Sequence, residues 1–238
     1  MKQWLRVGLL AAGVWMTAPI TPAGAQITQS GNGYLFRMKY TRGQKMNYVM
    51  NSENSNPAMP GGGGAMTVPV TMTVLDVKGK VATIRLDIGP VTMGGKEVVK
   101  KQSSEVQMDD RGRLVGKSGA PMAALSQLGA GIPEKPIKIG DSFVVNQKGS
   151  AGSMGNMNTK TTYKFLGIKT LGNRKVAQMS ITLSSGGSMN MKGSGTVLFD
   201  MTDGSLVSQK MDTQVTMAPP GQSGQSMTMS MKTNMERK

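Results

Sequence analysis

The sequence predicts an all-β protein with a minor α component, and three observations carry that reading. Beyond the first 25 residues, most of the chain alternates apolar and polar residues with period two, as half-buried strands do. Short turn signals separate the alternating runs, as in VKGK ending at Lys80, LGNRK at 171–175 and TDG at 202–204. The second half also repeats the first, at an offset near 95 residues.

The chain opens MKQWLRVGLLAAGVWMTAPITPAGAQ. Lys2 and Arg6 supply a positive start, Val7 to Met16 a short apolar run, and Ala23-Gly24-Ala25 a small-residue cleavage site. This is the pattern of a secretory signal peptide over residues 1–25, cut after Ala25. The apolar run is too short to cross a bilayer, which takes about 20 residues. No later stretch is apolar enough either, so no transmembrane segment is expected. With no Cys in the chain, disulfides and lipid attachment through an N-terminal cysteine are excluded. The expected location is outside the cytoplasm, either periplasmic or extracellular.

Loss of the leader changes the inventory. Both tryptophans, Trp4 and Trp15, leave with it, and the aromatics that remain are Tyr34, Phe36, Tyr40, Tyr48, Phe143, Tyr163, Phe165 and Phe199. Without Lys2 and Arg6, 26 basic residues face 13 acidic ones, a net charge of +13. Such a surface is drawn to polyanions, including anionic lipid headgroups and anionic envelope polymers. Nucleic acid is not an expected partner: the compartment is wrong, and no basic stretch is interleaved with stacking aromatics.

The strands can be taken in order. In MTVPVTMTV, Met66, Val68, Val70, Met72 and Val74 share one face and Thr67, Thr71 and Thr73 the other. In KVATIRLDI, Ala82, Ile84, Leu86 and Ile88 point one way and Thr83, Arg85 and Asp87 the other. Polar outer faces of this kind belong to antiparallel sheets with one wet side. Moving 95 positions on, KVATIRLDI meets KVAQMSITL, so that Ala177, Met179, Ile181 and Leu183 take over the inward set. Upstream, YTRGQKMNYVMN (40–51) parallels IKIGDSFVVNQ (137–147); downstream, MDDRGRLVG (108–116) parallels FDMTDGSLVS (199–208). Offsets drift through loop insertions, which cost little at a surface.

These matches predict an internally duplicated antiparallel curved sheet, a half-barrel or barrel-like sandwich of about 10–12 strands. The organisation expected is a signal peptide over 1–25, a first β repeat over 26–117, a linker over 118–137 and a second β repeat over 138–238, the repeats forming one continuous domain. One short helix is expected in the linker, with Pro121 as its first residue, Met122 to Leu128 as its body and Gly129 as its stop. Two long loops are expected at matching places, PAMPGGGGAM (57–66) and KGSAGSMGNMN (148–158).

The chemistry is mostly defined by absences. No histidine occurs, which removes the usual general base, the usual zinc ligand and any Ser-His-Asp arrangement. The acidic clusters Asp109-Asp110 and Asp200/Asp203 fall at hairpin turns, where carboxylates cap backbone donors, and neither has the spacing of a calcium loop. Ser230 and Lys232 share the polar side of an ordinary strand, with no shelter to depress the lysine. The GGGG run is not a phosphate loop, since no Gly-Lys-Ser/Thr follows it. An enzyme is not expected, and no cofactor is implied.

Methionine is the unusual allocation, with 23 in the whole chain. Residues 206–217 and 225–236 predict a last hairpin. Its first strand carries Val207, Met211, Val215 and Met217 on one face; its second carries Met227, Met229, Met231 and Met235. With Met217 near Met227, several thioethers gather, because opposed side chains lie about 5 Å apart. Three readings stay open. The methionines are plain core filler, for which an unbranched side chain is well suited. They form a pliable apolar ligand surface of Met211, Met217, Met227, Met229, Met231 and Met235. Or Met227, Met229 and Met231 hold Cu(I) as soft ligands in a chain that lacks Cys and His.

The run Lys138-Ile139-Gly140-Asp141-Ser142-Phe143 and the run Tyr163-Lys164-Phe165-Leu166-Gly167 resemble those of uncharacterised secreted bacterial proteins built from duplicated antiparallel β units. A curved sheet with a small helix is also similar in architecture to periplasmic lipoprotein-carrier proteins, which cup an acyl chain in an open half-barrel. This chain departs from them in having one expected helix and few aromatics, so no binding residue is carried over. The function expected is that of an exported, non-enzymatic envelope or periplasmic protein that binds an apolar or amphiphilic ligand, such as a lipid, or associates with the envelope. The alternatives are a Met-based Cu(I)-binding protein and a structural or scaffold component of the cell surface.

Overall fold

A computed structural model describes residues 27–54, 64–116, 132–150, 156–187, 189–217 and 227–238. The signal peptide, the body of the expected linker helix and most of both expected glycine-rich loops lie outside the described residues. Among the described residues the protein is all-β, with fifteen strands and no helix. The first half holds β1 (Ile27–Ser30), β2 (Gly33–Phe36), β3 (Lys45–Asn54), β4 (Ala65–Lys78) and β5 (Val81–Ile88). It continues with β6 (Val91–Met93), β7 (Lys96–Val99), β8 (Gln102–Asp109) and β9 (Leu114–Val115). The second half holds β10 (Ser142–Ser150), β11 (Asn156–Leu171), β12 (Arg174–Gly187), β13 (Met189–Asp200), β14 (Leu206–Met217) and β15 (Met227–Arg237).

β1 and β2 make a small hairpin of their own; the others form one 13-stranded antiparallel sheet in the order β10-β11-β12-β13-β14-β15-β3-β4-β5-β8-β9, with β6 and β7 as a side ribbon on β4. The expected strand count of 10–12 was too low because β1, β2, β6 and β7 are each of three or four residues, too short for an alternation to show. Lys148 to Ser150 and Asn156 to Asn158, expected in a loop, are strand: pairing with neighbours carries β10 and β11 into small polar sequence that has no alternation of its own. The sheet does not close, since β10 and β9 end it without pairing.

Both sheet ends nevertheless bury side chains in one core. Phe143 and Val145 from β10 and Val106 and Leu114 from β8 and β9 pack against a cluster that includes Met46, Val74, Ile84, Phe165, Met179 and Val197. The inward sets read from the alternation lie there: Ala82, Ile84, Ala177 and Met179 are at most 1% exposed. One apolar face curled onto itself explains this, because a flat sheet would leave that face in water.

The β1–β2 hairpin covers one end of the curl. Its Tyr34 and Phe36 meet Phe165 edge-to-face, with ring centroids 5.4 and 5.3 Å apart. Such pairs contribute about 0.5–1.5 kcal/mol each beyond burial. Past the hairpin, the Met38 amide donates to the Asp110 carbonyl at 2.7 Å and the Lys39 amide to the Asp203 carbonyl at 2.8 Å. Two adjacent residues thus tie together turns from opposite halves of the chain.

The halves share local geometry as well as order. β3-β4-β5-β8-β9 and β10-β11-β12-β13-β14 are both five-strand meanders, joined through β15. Val74 exchanges backbone bonds with Gly43 and Gln44, and Phe165 does so with Gly140 and Asp141, all between 2.7 and 2.9 Å. A bulge follows each, between Val74 and Asp76 and between Phe165 and Gly167. The turns after β8 and β13 are alike in plan, the second being one residue longer. The Gly112 amide donates to the Asp109 carbonyl and the Gly204 amide to the Asp200 carbonyl, each at 2.9 Å.

Gly204 has φ +70, and a Cβ there would collide with the Arg37 carbonyl. The turn therefore needs glycine for its backbone conformation and for close passage of the strap leaving β2. Gly79, in the β4–β5 hairpin, has φ +59 but open space around it. Gly204→Ala is expected to cost about 2–4 kcal/mol, from the left-handed backbone plus overpacking. Gly79→Ala should cost about 1–2 kcal/mol, from the backbone alone. Urea denaturation of the two variants measures the difference; equal losses would show that the strap does not press on Gly204.

Candidate functional site

The last hairpin brings the expected methionines into register. β14 and β15 pair so that Met217 is opposite Met227, Val215 opposite Met229, Thr213 opposite Met231 and Gln209 opposite Met235. The side chains of Met217 and Met227 lie outside the described ones. The other four go to different places. Met235 is 7% exposed and belongs to the main core, so it packs rather than presents a surface. Met229 belongs to a second, smaller cluster with Leu183, Met191 and Val215. Met211 is half-buried and packs against both clusters, and Met231 is half-buried beside Thr213.

This second cluster draws only on β12 to β15 and lies toward the sheet end opposite the β1–β2 hairpin. Between it and the main core, β13 presents Gly193 and Gly195 on the inner face, opposite Thr213 and Met211. A Cβ at Gly195 would collide with the Lys210 carbonyl, so glycine lets β13 and β14 coil tightly here. The Met211 methyl lies 3.4 Å from where a Cβ of Gly193 would stand, so a flexible side chain covers the strip the glycines leave bare. Met191 was not among the candidates from the sequence, because the glycines at 193 and 195 interrupt the alternation that would have marked β13. The thioethers that could approach a soft metal are those of Met191, Met211 and Met229. No group of three His, Cys, Asp or Glu side chains suited to a metal occurs among the described residues.

The acidic clusters are committed to turns. The Asp109 carboxylate accepts from the amides of Arg111 and Arg113, both at 2.9 Å, and from Arg113 Nε at 2.7 Å. Burial alone would raise its pKa, but the Arg113 guanidinium and the backbone donors outweigh it and hold the carboxyl below its ordinary range. Asp200 accepts from the Thr202 amide at 2.8 Å. Asp203 accepts from the Ser205 amide at 2.9 Å and from Arg237 at 3.1 Å. Burial pushes the Tyr163 hydroxyl up to about 12, and it also raises Tyr40 and Tyr48, so all three stay neutral. Ser230 and Lys232 are exposed on the outer face.

Several grooves accompany these features, one of about 460 Å³ having Ser230, Met231 and Lys232 among its lining. A cleft of about 520 Å³ runs beside β10, between it and the segments at Arg111–Arg113 and Pro133–Ile137. Another, of about 740 Å³, crosses the polar face of β13, β14, β15 and β3, among Glu53, Thr196, Lys210, Asp212, Lys232 and Asn234. None of them appears in the sequence pattern, because each depends on how far the sheet coils. Among the described residues, no helix is long and apolar enough to cross a membrane.

No protein-family model matches the chain, and no curated protein matches it. Among solved structures, a Bacteroides fragilis crystal structure described as a "putative exported protein with YMCC-like fold" is similar over 86% of this chain and 99% of that one, at 8% identity and a TM-score of 0.45.

Met229→Ala is expected to cost about 2–5 kcal/mol, as a methionine leaving a packed cluster does, and Met231→Ala, half-buried, less than about 2 kcal/mol. Chemical denaturation of both variants checks the order. Asp109→Asn should lose about 1–3 kcal/mol by disrupting charge-assisted bonds. Because the folded carboxyl is depressed, that difference from the parent is full above its ordinary value of 3.8 and shrinks as the pH falls below it. Denaturation series at pH 6 and near pH 2 would show the convergence; a difference that persists in acid would mean the loss is steric.

Proposed function

We propose that the protein is an exported, non-enzymatic protein of the bacterial envelope or periplasm that binds an apolar or amphiphilic ligand at the methionine-bearing end of its curled sheet. The observation that carries this is the second apolar cluster, Leu183, Met191, Val215 and Met229, built on the inner face of β12–β15 but distinct from the main core. A protein that needed only a core already has one, and methionine suits a surface that must adapt to variable apolar partners. The leader pattern at 1–25 supports export, and the net charge of +13 left after the leader favours anionic envelope surfaces. The non-enzymatic reading draws support from the carboxylates of Asp109, Asp200 and Asp203, which are occupied in turns, and from the open setting of Ser230 and Lys232.

The matched bonds around Val74 and Phe165, with the matched turns at Asp109 and Asp200, support descent of the two meanders from one unit. On that reading, the second copy carries the ligand end, since its strands β11 to β14 run 12 to 16 residues and the second cluster forms only there.

Native mass spectrometry of protein recovered from its own envelope should show a co-purifying species of lipid mass. A fluorescent fatty-acid probe should bind saturably and be weakened several-fold by Met229→Lys. A clean apo mass together with no saturable probe binding overturns the reading. The convergence of Met191, Met211 and Met229 also favours a second reading, Cu(I) binding. That one requires Cu(I) to raise the melting temperature of the parent and not of a Met191→Ile, Met229→Ile double variant.

A further inference from the structure

We infer that the free edge of β10 is a docking site for an extended acidic segment of a partner protein, which adds as a further strand along the cleft. This goes beyond the ligand reading and rests on different residues. β10 is nine residues long and pairs on one side only, with β11; among the described residues no strand takes its other side. Phe165 of β11 exchanges backbone bonds with Gly140 and Asp141. By antiparallel alternation, Phe143 and Val145 then turn their amides toward β11, while Ser142, Val144 and Asn146 turn theirs to the open side.

An open edge of this kind is usually blunted by charge, proline, a bulge or brevity. Here they are weak: Ser142 to Gln147 contains no charged residue and no proline, Lys148 is the strand's one charge, and β10 and β11 pair without a register shift. At the other end of the sheet, β9 is only two residues long and pairs with Gln107 and Met108 of β8. Apolar side chains flank the open edge in water, with Val144 48%, Ile139 59% and Leu166 44% exposed.

The space beside the edge indicates what fits it. The cleft of about 520 Å³ has Ile137, Phe143 and Val145 among its walls and Lys135 at its margin, where Arg111 and Arg113 also lie, already paired with Glu134 and Asp109. Alternate side chains of an added strand would meet the apolar wall, and those between would meet the cations. Lys138 and Lys164 extend the basic surroundings, Lys164 directly opposite Ser142. Glu134 is the acidic side chain among the cleft residues, and Asp141 is bound to the Lys138 amide at 2.8 Å. A second copy of this chain is disfavoured as the occupant, since it would bring another strongly basic surface to the same place. Charge complementarity selects an acidic strand.

The test uses the full chain after leader removal and a fluorescein-labelled peptide of about the length of β10 that alternates glutamate with valine. Fluorescence anisotropy should show saturable binding that weakens with added salt, and a peptide with lysine in place of glutamate should bind at least about tenfold more weakly. Val144→Pro removes an outward amide while leaving the β11 ladder, and it should weaken binding about tenfold. If that variant melts early, Val144→Glu serves instead: it keeps the backbone, places a like charge on the docking edge, and should weaken the same peptide. Equal affinity of the parent and both variants overturns the inference, as does no saturable binding by the glutamate peptide. A concentration-dependent dimer that Val144→Pro abolishes, seen by sedimentation, would also overturn it, by making a second copy the occupant.

Discussion

The structure depends on one constraint: a sheet of thirteen strands with a single apolar face must bury that face against itself. No helical layer covers it among the described residues, and the β1–β2 hairpin is far too small to do so alone. Curling solves this. The price is geometric: the strands must coil tightly enough for β10 and β8 to reach one core, and Gly195 marks a place where two backbones come too close for any side chain. Because the curl stops short of closure, an unpaired edge and a cleft remain where a barrel would have a ladder.

The hairpin and the strap that follows it hold this arrangement at one end. Phe36 and Tyr34 cap Phe165, and the amides of Met38 and Lys39 reach the Asp110 and Asp203 carbonyls. Arg37, between the capping ring and those amides, donates to the carbonyls of Phe36, Pro133 and Glu134. Each contact is ordinary in strength, but together they join the N-terminal segment, both turns and the 132–137 segment at one end. The methionine cluster lies toward the opposite end.

The carboxylates show how similar chemistry is spent differently. Asp109 and Asp200 stand at matched turns and both bind local amides, yet only Asp109 also has an arginine four residues on to pair with. Asp203 instead reaches Arg237 at the far end of the chain, linking β15 to the β13–β14 turn. The turns thus share a backbone plan while their ion pairs differ, as expected if backbone geometry is the older constraint and side-chain pairing the freer one.

The sequence by itself determined the class of fold and the inward sets. Ala82, Ile84, Ala177 and Met179 follow from period two alone, because neighbours on a strand must face opposite ways. It also determined the absence of histidine and cysteine chemistry. Only the tertiary structure decided which methionines join the main core and which a separate cluster. Met229 and Met235 are alike in local pattern and almost equally buried, yet one packs in the main core and the other in a separate cluster. Their destinations depend on which distant strands the coil brings over them, and no spacing along β15 encodes that. That β10 ends the sheet among the described residues is likewise a property of strand order: the same residues in the middle of the sheet would have no open side.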